Sequence, residues 1–294
     1  MVLVVGATGL LGSEICLRLR SAGKPVRAMV RRTSPPEKIA ALRAAGVNTV
    51  VADLKDPRSL AEACNSVSAI VSTASSTFSR QEDDSIKSVD HVGYLNLIEA
   101  AAKAGIGHFV YTSIPRNLNY DSPLVSAKRQ VESRLAASGV PYTVLNANYF
   151  MEIWLSTALG FDHKNGCATI YGAGQQPIAW VSYHDVAALA VAALDRDSMR
   201  NRMLDAGGPD NLTPLEVVEV FTRLDNRRFK ITHVPEEDLR NQYERADDAL
   251  AKSFAGLMLE YAAGCPMDST EALAALPCGP RTVREYALEV TSEK

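Results

Sequence analysis

The sequence predicts an α/β fold in which a doubly wound parallel sheet is followed by a smaller C-terminal α+β lobe. Through the first 150 residues, short β-branched runs alternate with amphipathic stretches, and this alternation is typical of βαβ units. The strand-like runs are apolar at successive positions, which indicates burial on both faces of a sheet. Beyond residue 150, glycine and proline interrupt the pattern. We therefore expect a first domain at residues 1–150 and a smaller lobe at 151–294, partly interleaved with the sheet of the first domain.

The predicted elements follow in the order that a parallel sheet requires. Six strands are expected, at Val2–Val5, Pro25–Val30, Val47–Val51, Val67–Thr73, His108–Thr112 and Tyr142–Leu145. Five helices are expected between them, at Ser13–Ser21, Lys38–Ala45, Leu60–Cys64, Val89–Ala104 and Ser126–Ala137. In the lobe we expect short strands at Thr169-Ile170 and Ile178–Val181, a helix over Val186–Leu194 capped by Asp185, and a helical tail from Pro235 to Gly264.

A further helix is expected to begin at Thr213-Pro214-Leu215-Glu216. These residues combine a capping threonine, a proline at the first helical position and a glutamate that completes a capping box.

Charge and cysteine content exclude several classes of function. The chain carries 31 basic and 34 acidic residues, a net charge of −3, so nothing favours nucleic acid or an anionic membrane as a partner. Its five cysteines form no C-x-x-C pair, which argues against a zinc site or a disulfide framework and fits a reduced, cytoplasmic compartment. Met1 leads directly into the first strand, so we expect no signal peptide, and we expect neither a membrane span nor a metal. A monomer or homodimer is expected.

A glycine-rich loop, Gly6-Ala7-Thr8-Gly9-Leu10-Leu11-Gly12, follows the first strand and opens the first helix. In such loops one glycine permits the tight turn, one lets a pyrophosphate approach the backbone, and one lets the helix pack on the strand. The unpaired N–H groups of the helix N-terminus then favour an anion. An ordinary glycine turn is the alternative, but the preceding strand and following helix are the context that a dinucleotide-binding loop requires. We therefore expect a dinucleotide cofactor here.

Arg31 and Arg32 follow the second strand, where NAD-preferring sites usually carry an acidic residue for the ribose hydroxyls. A guanidinium group is suited to a 2′-phosphate, although a solvated basic turn is the alternative. Because no acid stands at this point of the sequence, we expect NADPH as the cofactor. The ends of the next strands should also line it, with Asp53 and Leu54 near the adenine and Thr73, Ala74 and Ser75 along the ribose and nicotinamide.

Taken together, these motifs resemble those of the NmrA-like and isoflavone-reductase-like atypical short-chain dehydrogenases/reductases. The resemblance covers most of the chain and rests on the glycine-rich loop, Arg31, Asp53-Leu54 and residues 93–113, 126–151, 181–187 and 207–216. It implies an NADP-binding Rossmann domain with a small C-terminal substrate lobe. Some members of this family are reductases, whereas others are redox-sensing regulators that bind the cofactor without turning it over.

Ordinary members of the wider superfamily place a Tyr-x-x-x-Lys pair on one helix face, where the ammonium lowers the pKa of the phenol and holds the ribose. Lys128 occupies the lysine position, but the residue four positions before it is Leu124, which cannot donate a proton. The resemblance implies that Lys128 is catalytic, since isoflavone-reductase-like members keep a lysine here without the tyrosine. A surface lysine paired with Glu132 is the alternative.

Two other side chains are catalytic candidates. Tyr120 lies eight residues before Lys128 and could enter from the preceding loop, although it cannot reproduce the usual geometry. Ser113 ends the fifth strand, where the superfamily keeps its catalytic serine, but a capping serine would explain this position equally well.

The segment after the sixth strand aligns with one that closes over the nicotinamide in relatives, so Asn148, Tyr149 and Phe150 are expected to contact the cofactor. An apolar substrate pocket is expected from Tyr149, Met151, Trp154, Phe161 and Trp180. Core packing is the alternative for these side chains, most of all for Phe150.

The leading hypothesis is an NADPH-dependent reductase that transfers a hydride to a small apolar carbonyl, enone or quinone. An NADP(H)-sensing regulatory protein is the alternative, and Leu124 favours it. A sugar epimerase or dehydratase is a third possibility, against which Leu124 argues because such enzymes generally need the tyrosine.

Overall fold

The computed structural model describes residues 1–77 and 81–292 and divides the chain into two compact units. Unit 1 consists of Met1–Ser113, Pro123–Leu145 and Val186–Leu204. Unit 2 consists of Ile114–Ser122, Asn146–Asp185 and Asp205–Lys294. None of the helices formed by the described residues combines the length and the apolar character needed to cross a membrane.

The described residues form twelve strands in three sheets. The strands are β1 (Val2–Val5), β2 (Val26–Val30), β3 (Asn48–Val51), β4 (Ala69–Ser72), β5 (His108–Ser113), β6 (Tyr142–Ala147), β7 (Phe161–Asp162), β8 (Cys167–Tyr171), β9 (Ile178–Ala179), β10 (Arg202–Ala206), β11 (Asn211–Leu212) and β12 (Lys230–Val234). Seven of them form one sheet in the order β10-β6-β5-β4-β1-β2-β3. The smaller sheets are β12-β8-β7 and β11-β9. The predicted doubly wound parallel sheet is confirmed.

The α-helices of the described residues are α1 (Leu10–Ser21), α2 (Pro36–Ala44), α3 (Pro57–Ala63), α4 (Tyr94–Lys103), α5 (Pro123–Ala136), α6 (Met151–Trp154), α7 (Tyr183–Ala193), α8 (Pro214–Asp225), α9 (Glu236–Arg245), α10 (Ala249–Ala263), α11 (Thr270–Leu273) and α12 (Val283–Ser292). A π-helical segment, Ile86–Gly93, runs directly into α4. The predicted helix at Val89–Ala104 is thus a π-helical part followed by an α-helical part.

The order in which the chain adds strands to the large sheet reverses at β1. In parallel register, Val5 pairs with Met29 of β2 on one side and with Ser72 of β4 on the other. The chain therefore continues outward from β1 in both directions, and the segments that follow β1 and β4 begin side by side. In open α/β sheets, a ligand binds at such a switch point, beyond the carboxyl ends of the strands.

The core of unit 1 on one face of this sheet is built from apolar side chains of α3, α4 and α5. Fully buried members include Leu3 of β1, Leu60 of α3, Leu97 of α4 and Val131 of α5. On α1, Ile15 and Leu19 are also fully buried, and α1 contacts β1 and β2. Burial of the strands from both sides explains why they are apolar at successive positions.

Unit 2 has its own aromatic core. Its buried side chains include Phe161, Trp180, Phe221 and Tyr286. Helix α8 starts with the predicted capping box, in which the Thr213 hydroxyl accepts from the backbone N–H of Glu216 at 3.1 Å and the Glu216 carboxylate accepts from that of Thr213 at 2.8 Å.

Helix α7 differs from its prediction. It begins at Tyr183, so that Asp185 lies in its first turn and is not its cap. The Asp185 carboxylate accepts instead from the backbone N–H of Arg281 at 2.8 Å. The partner of this carboxylate lies far along the chain, which a local sequence pattern cannot show.

Candidate active site

The glycine-rich loop makes a tight turn at the switch point, directly after β1. Gly6 has a φ of +85°, a value that favours glycine, and its carbonyl accepts from the backbone N–H of Gly9 at 3.0 Å. Gly9 then occupies the cap position of α1. The loop runs directly into a helix, as predicted, but the helix begins at Leu10 and not at the predicted Ser13.

Two of the loop glycines lie where a side chain has no room. A Cβ atom at Gly12 would stand 2.1 Å from the carbonyl oxygen of Gly6, and a Cβ atom at Gly6 would stand 2.7 Å from Thr73 Oγ1 and 2.8 Å from the backbone nitrogen of Ala74. The loop therefore packs its backbone directly against the segment after β4. This close approach brings Thr73 and Ala74 beside the loop. Their contact with the ribose and nicotinamide stays a prediction.

The N-terminus of α1 suits an anion. No described side chain caps it, and its first turn contains no acidic residue. The first backbone N–H groups of a helix have no intrahelical partner, and the helix dipole is positive there. Leu10 is exposed and Leu11 is buried. The carbonyl of Thr8 accepts from Lys38 Nζ at 3.0 Å. The residues present thus fit the pyrophosphate of a dinucleotide.

Arg31 and Arg32 have different surroundings. Arg31 forms an ion pair with Asp84, whose side chain is almost completely buried and also accepts from Lys55 Nζ at 2.7 Å. Arg32 is exposed and forms no ion pair with any described residue. Only one terminal nitrogen of Arg31 is used by Asp84, and a guanidinium has five N–H donors. Arg31 therefore keeps donors for an anion such as a 2′-phosphate.

Sequence reasoning did not identify Asp84, because it lies 53 positions beyond Arg31. An acid is therefore present beside the end of β2 although none stands there in the sequence. Asp53 belongs to the same charged group through Lys55, whose Nζ is 3.9 Å from its carboxylate. Leu54 is buried, and its backbone carbonyl accepts from Asn96 Nδ2 at 3.1 Å. Ser75 is exposed and bonds Thr77 Oγ1 at 3.2 Å.

Lys128 lies on α5 and is 5% exposed. Its Nζ lies 4.9 Å from the ring centre of Tyr111 and 5.5 Å from that of Tyr94, and 3.5 Å from the carbonyl oxygen of Thr112. The alternative interpretation of Lys128 as a surface lysine paired with Glu132 is therefore wrong. Burial lowers the pKa of Lys128, and the negative charges of Asp90 and Glu132 oppose that shift.

Glu132 bonds other residues. Its carboxylate accepts from the hydroxyl of Ser113 and from Arg129 Nη1 at 2.6 Å. Ser113 is buried, and its hydroxyl is thus directed at Glu132 and does not cap a helix. Leu124, at the position of the usual tyrosine, is buried in the first turn of α5.

A line of contacts joins the loop to Lys128 within unit 1. Gly6 packs against Ala74, as described above, and the carbonyl of Ala74 accepts from the hydroxyl of Tyr94 at 2.7 Å. The ring of Tyr94 borders Lys128 and meets the ring of Tyr111 edge-on, with centres 4.9 Å apart. Burial raises the pKa of both phenols, so both stay neutral. Sequence reasoning did not identify either tyrosine, because each also fits a core position of its element.

Tyr120 lies in unit 2, in the segment that follows β5. Its backbone N–H donates to the Glu260 carboxylate, its ring meets that of Tyr243 edge-on at 6.0 Å, and Arg240 lies over it at 6.0 Å. Burial raises the pKa of Glu260. These contacts hold Tyr120 within unit 2, and its predicted catalytic role stays a prediction.

The residues after the sixth strand that were predicted to contact the nicotinamide, and those predicted to line the substrate pocket, lie in unit 2. The side chain of Asn148 donates to the carbonyl of Cys265 at 2.8 Å, and the Tyr149 hydroxyl donates to that of Leu257 at 3.2 Å. Phe150 forms a bridge with Val181.

Met151, Phe161 and Trp180 are buried in the core of this unit, and the indole N–H of Trp180 donates to the carbonyl of Leu212 at 2.8 Å. Trp154 is half-buried and stacks on Tyr261 at 5.5 Å. The roles of these residues in cofactor and substrate binding stay predictions.

Comparison with known proteins identifies related chains. The sequence model of the NmrA-like family matches residues 1–287. The photosystem II assembly factor Ycf39 of Synechocystis sp. is 32% identical over 243 residues, which are 81% of this chain and 72% of that protein. An NAD(P)H azoreductase of Xenophilus azovorans is 28% identical over 295 residues, covering 98% and 96%. The structure of an NADPH-dependent quinone oxidoreductase of Escherichia coli in complex with NADPH superposes with a TM-score of 0.80 at 24% identity, covering 99% and 100%.

Proposed function

Because the chain belongs to the NmrA-like family, we propose that it is an NADPH-dependent reductase that transfers a hydride to a small, mostly apolar carbonyl, enone or quinone. The similarity to an NAD(P)H azoreductase along almost the whole chain supports an oxidoreductase. The similarity to the structure of an NADPH-dependent quinone oxidoreductase shows that the two proteins share a fold. Unit 1 would bind the cofactor.

The observation that carries this proposal is the line of contacts from Gly6 through Ala74 and Tyr94 to Lys128. It places a buried ammonium in the same unit as the loop and a few side chains away from it. The backbone of the loop would hold the pyrophosphate, and Arg31 would hold the 2′-phosphate. NADPH, when bound, supplies the hydride that reduces the acceptor.

Lys128 has two roles in the proposed reaction. Its ammonium would bind the nicotinamide ribose, and it would stabilise the negative charge that develops on the acceptor oxygen and donate a proton to that oxygen. Burial lowers the pKa of this group. An ammonium with a lowered pKa is a better general acid near neutral pH. Leu124 leaves no phenol at the usual place for this task.

The test is oxidation of NADPH by the purified chain with a panel of quinones, enones, aldehydes and ketones, followed by the NADPH absorbance. We expect turnover with at least one apolar acceptor and a strong preference for NADPH over NADH. Binding of NADPH without oxidation by any member of the panel would contradict the reductase.

Such a result would favour a second function, a cofactor-sensing regulator. Two observations support it: Leu124 is buried at the usual tyrosine position, and one relative is named as an assembly factor. A regulator should retain a partner protein in one cofactor state only. Pull-downs that recover the same proteins with NADP⁺ and with NADPH would contradict this second function.

A further inference from the structure

Asp90 is a buried acidic residue that the proposed function does not use. It lies on the π-helical segment Ile86–Gly93 and is fully buried. One carboxylate oxygen accepts from the backbone N–H of Ser76 at 2.9 Å and from its hydroxyl at 2.6 Å. The other oxygen has no hydrogen-bond partner among the described residues. A buried carboxylate is costly unless its charge is compensated, so its position needs an explanation.

The π-helical segment that carries Asp90 packs against α5, the helix that carries Lys128, so Lys128 is the buried cation placed to compensate Asp90. Asp90 and Glu132 are the two carboxylates whose negative charge acts on this ammonium. Glu132 already bonds Arg129 and Ser113, which reduces its effect on Lys128. Asp90 forms no ion pair with any cation of the described residues, and Lys128 forms none either. Asp90 and Lys128 are therefore two buried ionisable groups on packed elements of unit 1, and neither forms an ion pair with a described residue.

The other groups around Lys128 are uncharged. The rings of Tyr94 and Tyr111 face its Nζ from α4 and β5, and the carbonyl of Thr112 is its only hydrogen-bond acceptor among the described residues. The hydroxyl of Tyr111 has no partner in the described part of the chain. Aromatic faces attract an ammonium but cannot hold it charged as a carboxylate does.

We propose that Asp90 is a positioning residue for Lys128, and that its carboxylate is the counter-charge that keeps the Lys128 amine protonated inside unit 1. The proposal rests on the proposed function, because a protonated Lys128 is what the reduction of a carbonyl requires. In that reaction the acceptor carbon gains a hydride and its oxygen gains a proton from Lys128. The neutral amine then takes a proton from water, and Asp90 keeps its hydrogen bonds from Ser76 throughout.

The test measures the titration of Lys128 directly. Lysine side chains are labelled with carbon-13, the Lys128 signal is identified by its loss in Lys128→Arg, and its pKa is measured in the wild type and in Asp90→Asn. Removal of an opposite charge near a buried amine should lower the pKa of Lys128 by about one unit or more. Glu132→Gln should lower it less. Glu99→Gln, an exposed carboxylate paired with Lys103 on α4, should leave it unchanged.

A second readout is the pH profile of turnover. The fall in kcat at alkaline pH reports loss of the protonated amine, so in Asp90→Asn it should begin at a pH lower by about one unit. A purely structural residue would lower stability without moving this profile. If Asp90→Asn does not fold, Asp90→Ser is used in its place. The same shift in the alkaline fall of kcat is expected.

A folded Asp90→Asn or Asp90→Ser variant with an unchanged pKa at Lys128 would overturn the proposal, as would loss of folding in both. Because the lysine titration needs neither cofactor nor turnover, it separates this proposal from the proposed function. Absence of NADPH oxidation by the wild type contradicts the reductase alone.

Discussion

At the scale of single residues, Arg31 is the side chain on which discrimination between NADPH and NADH should depend. Its pairing with buried Asp84 fixes the guanidinium while leaving donors for a phosphate. Loss of a charged hydrogen bond costs about 1.5–3 kcal/mol, a ten- to hundredfold effect on affinity. We therefore expect Arg31→Ala to weaken NADPH binding by about that factor and to change NADH binding little. Calorimetric titration with each cofactor measures both.

Arg32→Ala is the matched control for Arg31→Ala, since the neighbouring arginine is exposed and without an ion pair to any described residue. Its effect on NADPH should be several-fold smaller. Equal losses for NADPH and NADH in Arg31→Ala would show that the arginine only shapes the turn after β2.

Lys128 allows a second residue-scale prediction. If this ammonium stabilises charge that develops only in the transition state, Lys128→Ala should lower kcat at saturating cofactor. General acid catalysis contributes about 10²–10⁴-fold, and the loss should fall in that range. Lys128→Arg keeps the charge but not the compact shape, so it should restore cofactor binding more fully than turnover.

Lys103→Ala is a suitable control, because Lys103 is exposed on α4 and pairs only with Glu99 among the described residues. Lys103→Ala should have the same kcat as the wild type. An unchanged kcat in Lys128→Ala would limit Lys128 to binding the ribose and would make Tyr120, Tyr149 or a bound water the next candidate for the proton donor.

The resemblance to isoflavone-reductase-like proteins pointed to Lys128, but the sequence could not show what surrounds this side chain. Asp90 and Tyr111 approach it from other elements, and Asp84 approaches Arg31 across 53 positions. Each of these partners has an ordinary local explanation, as a polar or core position of its own element. Only the folded chain brings them together.

At the scale of elements, the turn from β1 to α1 depends on Gly12. A Cβ atom there would meet the carbonyl oxygen of Gly6 at 2.1 Å, and that oxygen belongs to backbone that cannot move aside freely. Gly12→Ala should therefore displace the N-terminus of α1, lower the thermal unfolding temperature and abolish measurable NADPH binding. Thermal unfolding with and without NADPH measures both effects.

Gly279→Ala is the control, because no described atom lies within 4 Å of a Cβ at that position and its φ is not positive. An alanine there should be neutral or slightly stabilising. NADPH binding by Gly12→Ala with wild-type affinity would contradict the assignment of this turn to the pyrophosphate.

Strands buried on both sides were predictable from their apolar residues, whereas the mostly exposed strand β12 was not. Strand β1 has the predicted bounds, since every residue of it is buried. Strand β12 was not predicted: four of its five residues are exposed, so its sequence carries no pattern of burial, and it exists because it pairs with β8. Cooperative pairing of this kind leaves no local signal.

At the scale of the whole molecule, the chain enters each compact unit three times. Local patterns of hydropathy describe elements, but they carry no information on which elements pack together. The exchange of segments between units is therefore a result of packing that the sequence pattern does not reveal.

The stability of the whole molecule should fall on mild acidification because of His108. This side chain is 2% exposed and lies on β5, where its Nε2 is 2.9 Å from Thr143 Oγ1. The Thr143 hydroxyl donates to the carbonyl of Met199 at 2.6 Å, so the ring must donate to Thr143 through Nε2–H. Its Nδ1 has no partner among the described residues. Burial, aided by the charge of Arg200, lowers the pKa of His108 from 6.5 to about 4.

The direction of the pH dependence follows from which state of the chain, folded or unfolded, binds more protons. Between pH 6.5 and about 4, the histidine is protonated in the unfolded chain but neutral in the folded one, so the unfolded state binds more protons and stability falls as the pH falls. The full loss over this interval is at most about 3 kcal/mol. His108→Gln should reduce the decline in the free energy of unfolding between pH 7 and 5, measured by urea denaturation. Thr143→Ser keeps the hydroxyl that bonds the ring and should retain the wild-type decline. The same pH dependence in His108→Gln as in the wild type would assign the acid sensitivity to other groups.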